Sequence, residues 1–383
     1  MTLKPITIQY QPHMSQDPKY LHSVIQMFAV QGTCQSAAPY GTGHINDTYL
    51  VNLADGGAVI PYILQRINHN IFKKPPLLME NILRVTSHVR QKLSVISGAD
   101  PDRESLTVIP TKEGSPFLHD DKGNFWRMYV FISNARTYDI CATAQQAYET
   151  ASAFGRFQSL LADLPGGRLQ DTIPWFHHTP RRFKTLEEVI IADKNNRCSE
   201  ARHQIVFCVE RKTLGAALTD LLESGRIPER ISHNDAKINN VMMDSSDGRG
   251  ICVIDLDTVM SGSSLYDFGD MVRTAARTMD EDERNLDKVI LNIQFFESLA
   301  RGYLKSARAF LTPLEVENMV TAGKVITFTI GIRFLADYLM GDVYFKIHRP
   351  SHNLDRARVQ FKLLESIEQE EETMRKIVRK YAG

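Results

Sequence analysis

The chain has 383 residues, of which 43% are hydrophobic, and its 45 Lys and Arg residues balance 45 Asp and Glu residues. This length is sufficient for two lobes with hydrophobic cores, and the neutral balance excludes the global basic field that favours nucleic acids or membrane surfaces. We therefore expect a two-lobed protein with a small-molecule partner, no nucleic-acid partner and no membrane partner.

The cysteine count and the N-terminal residues bear on the cellular compartment. Five cysteines, an odd number without a C-x-x-C pair, are typical of reduced thiols in a cytoplasm. The first residues contain no apolar signal segment, and no run of about 18 apolar residues occurs in the sequence. These features predict a soluble, cytoplasmic protein.

The N-terminal part of the sequence predicts a helix followed by a β-sheet with one further helix. Helical spacing of apolar residues identifies the helices, and short β-prone runs between turn signals identify the strands. The predicted elements are a helix at residues 17–30, two strands flanking a turn in 40–53, a strand at 60–68, a helix at 77–95, and strands at 107–110 and 125–132.

A glycine-containing turn separates the first two predicted strands. Gly41 and Gly43 fit a tight turn, and because glycine lacks a side chain, backbone amides can approach phosphate oxygens there. We predict that residues 41–46, including Asn46, bind nucleotide phosphates. An ordinary hairpin turn would show the same pattern.

The third predicted strand carries a candidate phosphate-binding cation. Arg66 stands where protein kinases place a lysine, and an arginine is always charged and can bridge two phosphate oxygens. A surface arginine is the alternative, and Gln65, on the other face of the strand, is the weaker candidate. Glu80 lies fourteen residues after Arg66 and could pair with it. At ~100° per residue, however, Glu80 projects away from the apolar side of its helix, which favours a solvated position.

The C-terminal part of the sequence is predicted to be mainly helical. We place the hinge between the lobes at residues 133–136, which gives an N-terminal nucleotide-binding lobe at 1–134 and a C-terminal catalytic and substrate-binding lobe at 135–383. The predicted helices cover residues 147–164, 184–193, 199–224, 265–279, 285–304, 313–340 and 354–381.

The segment 231–257 carries the strongest chemical pattern. His233, Asp235 and Asn240 follow H-x-D-x-x-x-x-N, and Asp255 comes fifteen residues after Asn240, which is the spacing of a kinase catalytic loop and its metal-binding aspartate. Asp235 suits the orientation and deprotonation of an acceptor hydroxyl. Asn240 and Asp255 suit Mg²⁺, which prefers amide and carboxylate oxygens. Two short strands around a Ser-Ser-Asp-Gly turn would bring Asn240 and Asp255 side by side.

Two further aspartates follow this segment. Asp257 would share a strand face with Asp255, so a second metal contact is open. Asp267 falls in the first turn of a predicted helix, where a negative charge is favourable, and we predict a structural role in holding the catalytic-loop backbone.

The segments HNDAKINNVMMD and VIDLDTVMSGSSLYDFGD resemble the catalytic segments of the aminoglycoside phosphotransferase and choline kinase group of small-molecule kinases. The resemblance is closer to N-acetylhexosamine 1-kinases and covers most of the chain, because YGTGHINDTY, YILQRINHNIF and RFLADYLMGDVYFKI also match that subfamily. It implies an α+β, bilobal protein-kinase-like fold, with an N-terminal β-sheet lobe containing a helix and a larger helical lobe. The implied reaction is phosphorylation of the anomeric hydroxyl of an N-acetylhexosamine, with ATP and Mg²⁺.

The resemblance also implies substrate-binding residues. In these sugar kinases the glycine-containing loop covers the nucleotide phosphates and its histidine lies near the sugar, so His44 is expected to contact substrate or phosphate, with a solvated loop histidine as the alternative. Arg333 and Tyr344 match a substrate-binding arginine and tyrosine. From spacing alone, Arg333 and Asp337 would be a surface ion pair on a helix.

Other functions stay open at this point. The acceptor could instead be choline, homoserine, methylthioribose or an aminoglycoside, although an arginine and a tyrosine suit a neutral polyol better than a cation. A protein kinase is disfavoured because Asn234 replaces the usual arginine and no A-P-E segment follows Asp257. An inactive kinase-like scaffold is disfavoured because the base and both metal ligands are present. The oligomeric state is left open.

Overall fold

An antiparallel sheet forms the N-terminal part of the computed structural model, which describes residues 17–41 and 45–383. The strands follow the order β1-β2-β3-β6-β4, and β5 also pairs with β6. The elements are α1 (Pro18–Ile25), β1 (Thr33–Pro39), β2 (Asp47–Asp55), β3 (Ala58–Ile67), α2 (Pro75–Ser94), α3 (Pro101–Glu104), β4 (Val108–Ile109), β5 (Leu118–His119) and β6 (Phe125–Val130).

The two faces of this sheet are covered by different parts of the chain. On the outer face, Leu64 of β3 and Trp126 of β6 pack with Leu21 of α1 in one hydrophobic cluster. On the inner face, Ile67 and Tyr129 belong to the large core that continues through the C-terminal helices. Because successive side chains of a strand point to opposite faces, this packing decides which residues of β3 and β6 face the rest of the molecule.

Helix α2 starts at two prolines, which are tolerated in the first turn because the amides there have no partner within the helix. Its apolar residues Leu78, Ile82 and Val85 are fully buried. Glu80 is exposed. The solvated position predicted for Glu80 is therefore confirmed, and its alternative pairing with Arg66 is absent.

The C-terminal part is mostly helical, with three small antiparallel strand pairs that hold the loops in between. Its elements are β7 (Ala135–Arg136), α4 (Ala144–Leu161), α5 (Thr179–Ala192), α6 (Arg202–Glu210), α7 (Lys212–Glu223), β8 (Arg230–Ser232), β9 (Val241–Asp244), β10 (Gly250–Val253), β11 (Met260–Gly262), α8 (Ser264–Ala275), α9 (Ile293–Ala307), α10 (Pro313–Glu317), α11 (Met319–Met340), α12 (His352–Gln369) and α13 (Glu371–Ala382).

Three of the predicted long helices are each divided in two. The breaks lie at Arg211, Asn318 and Glu370, where ψ is 14°, 6° and 6° and the backbone leaves helical geometry for a single residue. An interruption of one residue hardly changes the spacing of apolar residues, so the sequence pattern does not reveal it.

Helix α11 is the centre of the C-terminal core. It has 22 residues and, among the described helices, is the one long and apolar enough to cross a membrane, yet 89% of its most apolar window is buried inside the protein. It packs against α5, α7, α8 and α12. A helix that contacts neighbours on all sides is apolar all round, which accounts for its composition.

Candidate active site

The loop between β8 and β9 carries the candidate catalytic carboxylate, and the predicted hairpin of β9 and β10 follows it. In this hairpin Val253 pairs with Val241, and the amide of Ile254 donates to the carbonyl of Asn240 at 2.9 Å. The pairing places Asn240 directly beside the end of β10, next to Asp255. The structure thus brings together the two residues that the sequence pattern separates by fifteen positions.

Asp267, in the first turn of α8, fixes the backbone of the catalytic loop. Its carboxylate accepts hydrogen bonds from the amides of His233 (2.9 Å) and Asn234 (2.7 Å) and from the hydroxyl of Ser232 (2.8 Å). Asn234 has φ of 65°, a left-handed conformation that asparagine tolerates better than most residues. The predicted structural role of Asp267 is confirmed.

His233 connects the catalytic loop to neighbouring elements. Its Nε2 is 2.9 Å from the carbonyl oxygen of Ile254, and its ring packs edge-on against Phe154 and Phe157 of α4. The histidine of the motif therefore joins the catalytic loop to the strand that precedes Asp255.

Asp235 lies between a cation and an amide. Its Oδ2 is 3.0 Å from Nζ of Lys237 and 3.2 Å from Nδ2 of Asn240. Burial raises the pKa of Asp235, but the charge and hydrogen bond of Lys237 outweigh burial, so its pKa is below the ordinary value. Asp235 is therefore a carboxylate at neutral pH. Lys237 was not singled out from the sequence, although its position two residues after Asp235 was a usable signal.

Asn240 and Asp255 offer oxygen atoms suited to a divalent cation. Nδ2 of Asn240 donates to the carbonyl of Asp235 at 2.8 Å, which leaves Oδ1 as the atom able to ligate. Although the side chain of Asp255 is partly exposed, loss of solvation in the cleft, together with the nearby Asp257 and Asp235, raises its pKa to about 6. This excess of negative charge fits Mg²⁺. In residues 17–41 and 45–383 no group of three or more His, Cys, Asp and Glu could hold a metal, so phosphate oxygens and water would complete the shell.

Asp257 is used in a different way. Its Oδ1 forms a buried ion pair with Arg127 of β6, and its Oδ2 accepts a hydrogen bond of 2.6 Å from Nδ2 of Asn46. Both carboxylate oxygens thus bond to side chains of the N-terminal part, and the second metal contact stays an open prediction. Asn46 is bonded at both ends of its amide, because its Oδ1 accepts from the amide of Asn68 at 3.0 Å. Its side chain therefore anchors the end of the loop, and the predicted role of Asn46 in phosphate binding stays a prediction.

Arg66 lies on the outer face of the sheet, away from Asp235 and Asp255. It pairs with Asp47 of β2 and hydrogen-bonds Nε to that carboxylate at 2.6 Å and Nη1 to Asn124 at 3.4 Å. This position corrects the prediction of Arg66 as the phosphate-binding cation. The physical reason is strand alternation, because Arg66 shares its face with Leu64, which packs on α1.

Arg127 of β6 occupies the inner face that Arg66 was expected to face. Its Nε donates to Oε1 of Gln65 at 2.9 Å and its Nη1 pairs with Asp257, while Nη2 makes no hydrogen bond within the described part of the chain. Its side chain is 1% exposed. The sequence signal was a single arginine in an otherwise apolar central strand.

The glycine-containing loop is described only in part. Gly41 follows β1 with φ of 78°, a left-handed conformation that glycine adopts without strain. Gly43 and His44 lie outside the described residues. Their predicted contacts with phosphate and substrate therefore stay predictions.

Arg333 and Tyr344 lie together at the C-terminal end of α11. The guanidinium of Arg333 lies 5.1, 5.7 and 5.4 Å from the ring centres of Phe176, Tyr344 and Phe345. The ion pair expected from spacing alone does not form. Asp337 is 1% exposed and instead accepts hydrogen bonds from the amides of Tyr344 and Phe345 at 2.7 and 2.9 Å. It therefore holds the segment that carries Tyr344.

His177 and Arg182 join this group and were not found from the sequence. Nε2 of His177 is 2.8 Å from the carbonyl oxygen of Asn234, the residue before Asp235. Burial lowers the pKa of His177 to about 4, and the neighbouring Arg333 and Arg182 contribute. Arg182 lies in the first turns of α5. No sequence motif marks either residue, because their position depends on how α5 packs beside the catalytic loop.

Comparison with known proteins gives a family and several similar folds. A model of the phosphotransferase enzyme family (APH) matches residues 36–313 of the chain. An aminoglycoside phosphotransferase from Alicyclobacillus acidocaldarius superposes with a TM-score of 0.58 at 12% identity, covering 94% of this chain and 96% of that chain.

Two other solved structures are also similar. The spectinomycin phosphotransferase APH(9)-Ia, in complex with ADP and spectinomycin, has a TM-score of 0.56 at 13% identity and covers 93% of this chain and 100% of that chain. Choline kinase from Cryptosporidium parvum Iowa II has a TM-score of 0.55 at 13% identity and covers 93% and 97%. At such identities the likeness shows the fold alone, and it confirms the predicted kinase-like α+β fold.

Proposed function

Because the chain belongs to the phosphotransferase enzyme family, we propose that it phosphorylates the anomeric hydroxyl of an N-acetylhexosamine such as N-acetylglucosamine or N-acetylgalactosamine, using ATP and Mg²⁺. Family membership makes the protein a small-molecule kinase. The observation that carries the proposal is the convergence of Asp235, Asn240 and Asp255 at one end of a hairpin that is anchored by Asp267.

Asp235 is the proposed general base. Its carboxylate is ionised at neutral pH, and Lys237 and Asn240 hold its Oδ2, which leaves Oδ1 for the acceptor hydroxyl. A positioned acid or base of this kind contributes on the order of 10² to 10⁴ in rate. Lys237, beside the base, is suited to offset negative charge on the transferred phosphoryl group.

Asn240 and Asp255 are the proposed magnesium ligands. A bound magnesium ion would supply positive charge to the nucleotide phosphates. On the opposite side of the cleft, we assign phosphate binding to Arg127 in place of Arg66. Asp257 and Gln65 fix the guanidinium of Arg127, so Nη2 is held ready for a phosphate oxygen. Residues 41–46 are proposed to supply backbone amides.

The sugar assignment is supported by the acceptor side of the site. Arg333 and Tyr344, together with His44, are the proposed sugar-binding residues. Tyr344 is 42% exposed, so its ring and hydroxyl are available to a ligand. No carboxylate of the described chain pairs with Arg333, whereas cationic acceptors such as choline require acidic or aromatic surroundings without a guanidinium.

We also propose that the protein is cytoplasmic and that its two lobes divide after residue 134. The five cysteines are all free, which agrees with a cytoplasmic protein. The proposed boundary after residue 134 lies between β6 and β7, and β7 pairs with β9 of the C-terminal part.

The direct test measures ADP release by the purified protein with ATP, Mg²⁺ and N-acetylglucosamine, with product identification by NMR. A panel of N-acetylgalactosamine, choline, homoserine, methylthioribose and an aminoglycoside is assayed in parallel. We expect turnover of N-acetylhexosamines, a sugar 1-phosphate as product, and loss of activity after addition of EDTA. Turnover confined to one of the other acceptors would overturn the sugar assignment and leave the kinase assignment intact.

A further inference from the structure

Two guanidinium groups lie together on the acceptor side, and neither pairs with a carboxylate in the part of the chain that the structure describes. Arg182 donates Nη2 to the carbonyl of Phe176 at 3.2 Å, while its Nε is buried and has no hydrogen-bond partner. Within residues 17–41 and 45–383, Arg333 makes ring contacts alone, with Phe176, Tyr344 and Phe345. Neither arginine has an ion pair with any residue that the structure describes. The two side chains are therefore held by aromatic rings and one carbonyl oxygen.

Some other buried arginines of the same protein are paired with a carboxylate. Arg127 and Arg273 are 1% and 6% exposed, and they pair with Asp257 and Asp270 respectively. Arg182 lacks such a partner, and burial together with the charge of Arg333 lowers its pKa to about 10. Placing two like charges in a partly dehydrated site is unfavourable unless an anion completes it.

The pair lies next to the reacting centre. Phe176, which contacts both arginines, precedes His177, and His177 bonds to the carbonyl of Asn234, one residue before Asp235. His177 is 4% exposed and its Nδ1 has no hydrogen-bond partner. An acceptor whose hydroxyl meets Asp235 would therefore extend toward Arg182 and Arg333.

We propose that Arg182 is a second acceptor-binding residue and that Arg182 and Arg333 together bind an anionic substituent of the acceptor sugar. The substituent is a carboxylate or a phosphate ester, because an arginine fork matches either group with two parallel hydrogen bonds. The preferred acceptor is thus an acidic N-acetylhexosamine derivative. This inference rests on the proposed function for the sugar class and goes beyond it in the charge of the sugar.

Binding is measured by calorimetry with N-acetylglucosamine, its 6-phosphate, its C6 carboxylate and its 1-phosphate, so that the result does not depend on turnover. We expect the 6-phosphate or the 6-carboxylate to bind at least tenfold more tightly than the neutral sugar. The acidic sugar that binds more tightly identifies which anion Arg182 and Arg333 accept. Equal or weaker binding of both acidic sugars would overturn the proposal.

The decisive variant is Arg182→Gln, with Arg181→Gln as the matched control, because Arg181 is the adjacent residue, is exposed and stacks on Trp175 instead. We expect Arg182→Gln to weaken binding of the acidic sugar at least tenfold and Arg181→Gln to change it less than twofold. Arg182→Lys, which keeps the charge but not the fork, should give an intermediate loss. Weakening confined to the 1-phosphate would overturn the proposal by identifying the pair as a product-phosphate site.

Activity measurements distinguish a failure of this inference from a failure of the proposed function. Turnover of neutral N-acetylglucosamine without preference for acidic derivatives would leave the proposed function standing and overturn the inference. Tight, Arg182-dependent binding of the acidic sugar without transfer from ATP would support the inference and overturn the proposed reaction. Thermal unfolding of each variant identifies any loss of binding that comes from misfolding. If Arg182→Gln is misfolded, the binding measured with Arg182→Lys decides the outcome.

Discussion

Asp235 combines a low pKa with a restricted orientation, and both depend on side chains within two to five positions of it. Lys237 stabilises the ionised form, and Asn240 fixes one carboxylate oxygen. The free oxygen is therefore available as a proton acceptor at neutral pH.

Replacement of Asp235 tests the role of the base. We expect Asp235→Asn to lower kcat by about 10² to 10⁴, because the amide cannot accept the hydroxyl proton, while KM for ATP changes little. Steady-state ADP release measures both constants. Undiminished kcat would remove Asp235 from the role of base.

Two arginines on neighbouring strands provide an internal comparison. We expect Arg127→Gln to raise KM for ATP about tenfold or more, because a charged hydrogen bond to phosphate is lost on the inner face. Arg66→Gln, on the outer face, should change KM less than about twofold. Steady-state kinetics at saturating acceptor distinguishes the two variants. If Arg127→Gln is destabilised, KM for ATP is measured instead in Arg127→Lys, which keeps the charge. The opposite result would restore the sequence prediction for Arg66.

His177 predicts a dependence of stability on pH. Because burial holds its pKa at about 4, against an ordinary value of 6.5, the unfolded chain binds a proton between these pH values that the folded chain does not. Stability should therefore fall as pH decreases from about 6.5 to 4, by up to ~3 kcal/mol from this residue.

Thermal unfolding at several pH values measures this effect. His177→Gln removes the ionisation, so its melting temperature should fall less steeply below pH 6.5 than that of the unmodified protein. His203→Gln serves as the control because His203 is exposed on α6. An unchanged slope in His177→Gln would show that His177 is accessible to protons in the folded state.

At the scale of elements, α8 links the catalytic loop to the core. Its first turn carries Asp267, and its next residues pack on α11. At Gly269 the two helices approach so closely that an added Cβ would lie 2.4 Å from the carbonyl oxygen of Ala322 and 2.7 Å from Cγ1 of Ile326. The close contact therefore determines where Asp267 meets the loop.

Gly269→Ala tests this contact. We expect a loss of about 1–3 kcal/mol in stability, because backbone of α11 would have to move to accept the methyl group. A lower kcat should accompany it, since α8 carries the anchor of the loop. Melting temperature and kcat are measured beside Lys376→Ala, a substitution at an exposed helical position of α13. Full stability in Gly269→Ala would contradict the packing of α8 on α11.

At the scale of the whole molecule, Asp257 joins the N-terminal sheet to the catalytic part. It lies two residues after Asp255 and bonds to Arg127 of β6 and to Asn46 before β2. The same carboxylate thus fixes the candidate phosphate-binding arginine and the end of the glycine-containing loop relative to the candidate metal ligand.

Asp257→Asn tests this connection. Removal of one partner of a buried ion pair leaves an uncompensated charge, so we expect a loss of about 3–5 kcal/mol in stability. The double variant Arg127→Gln with Asp257→Asn should regain part of this loss, because no unpaired charge is then buried. Thermal unfolding of both single variants and the double variant measures the coupling. Additive losses would show that the two side chains act independently.

The sequence by itself determined most of the helices and strands and the order of Asp235, Asn240 and Asp255, because helical and strand periodicity and a short catalytic loop are local properties of the chain. The kinase-like fold followed from the resemblance of its catalytic segments, and the single-residue breaks in three helices did not show in the pattern. Only the tertiary structure decided that Arg127 rather than Arg66 faces the cleft, since alternation shows that neighbouring strand residues point to opposite sides but not which side is covered by α1. Likewise, His177 and Asn234 meet across 57 positions, and no local pattern encodes a contact made by packing α5 beside the catalytic loop.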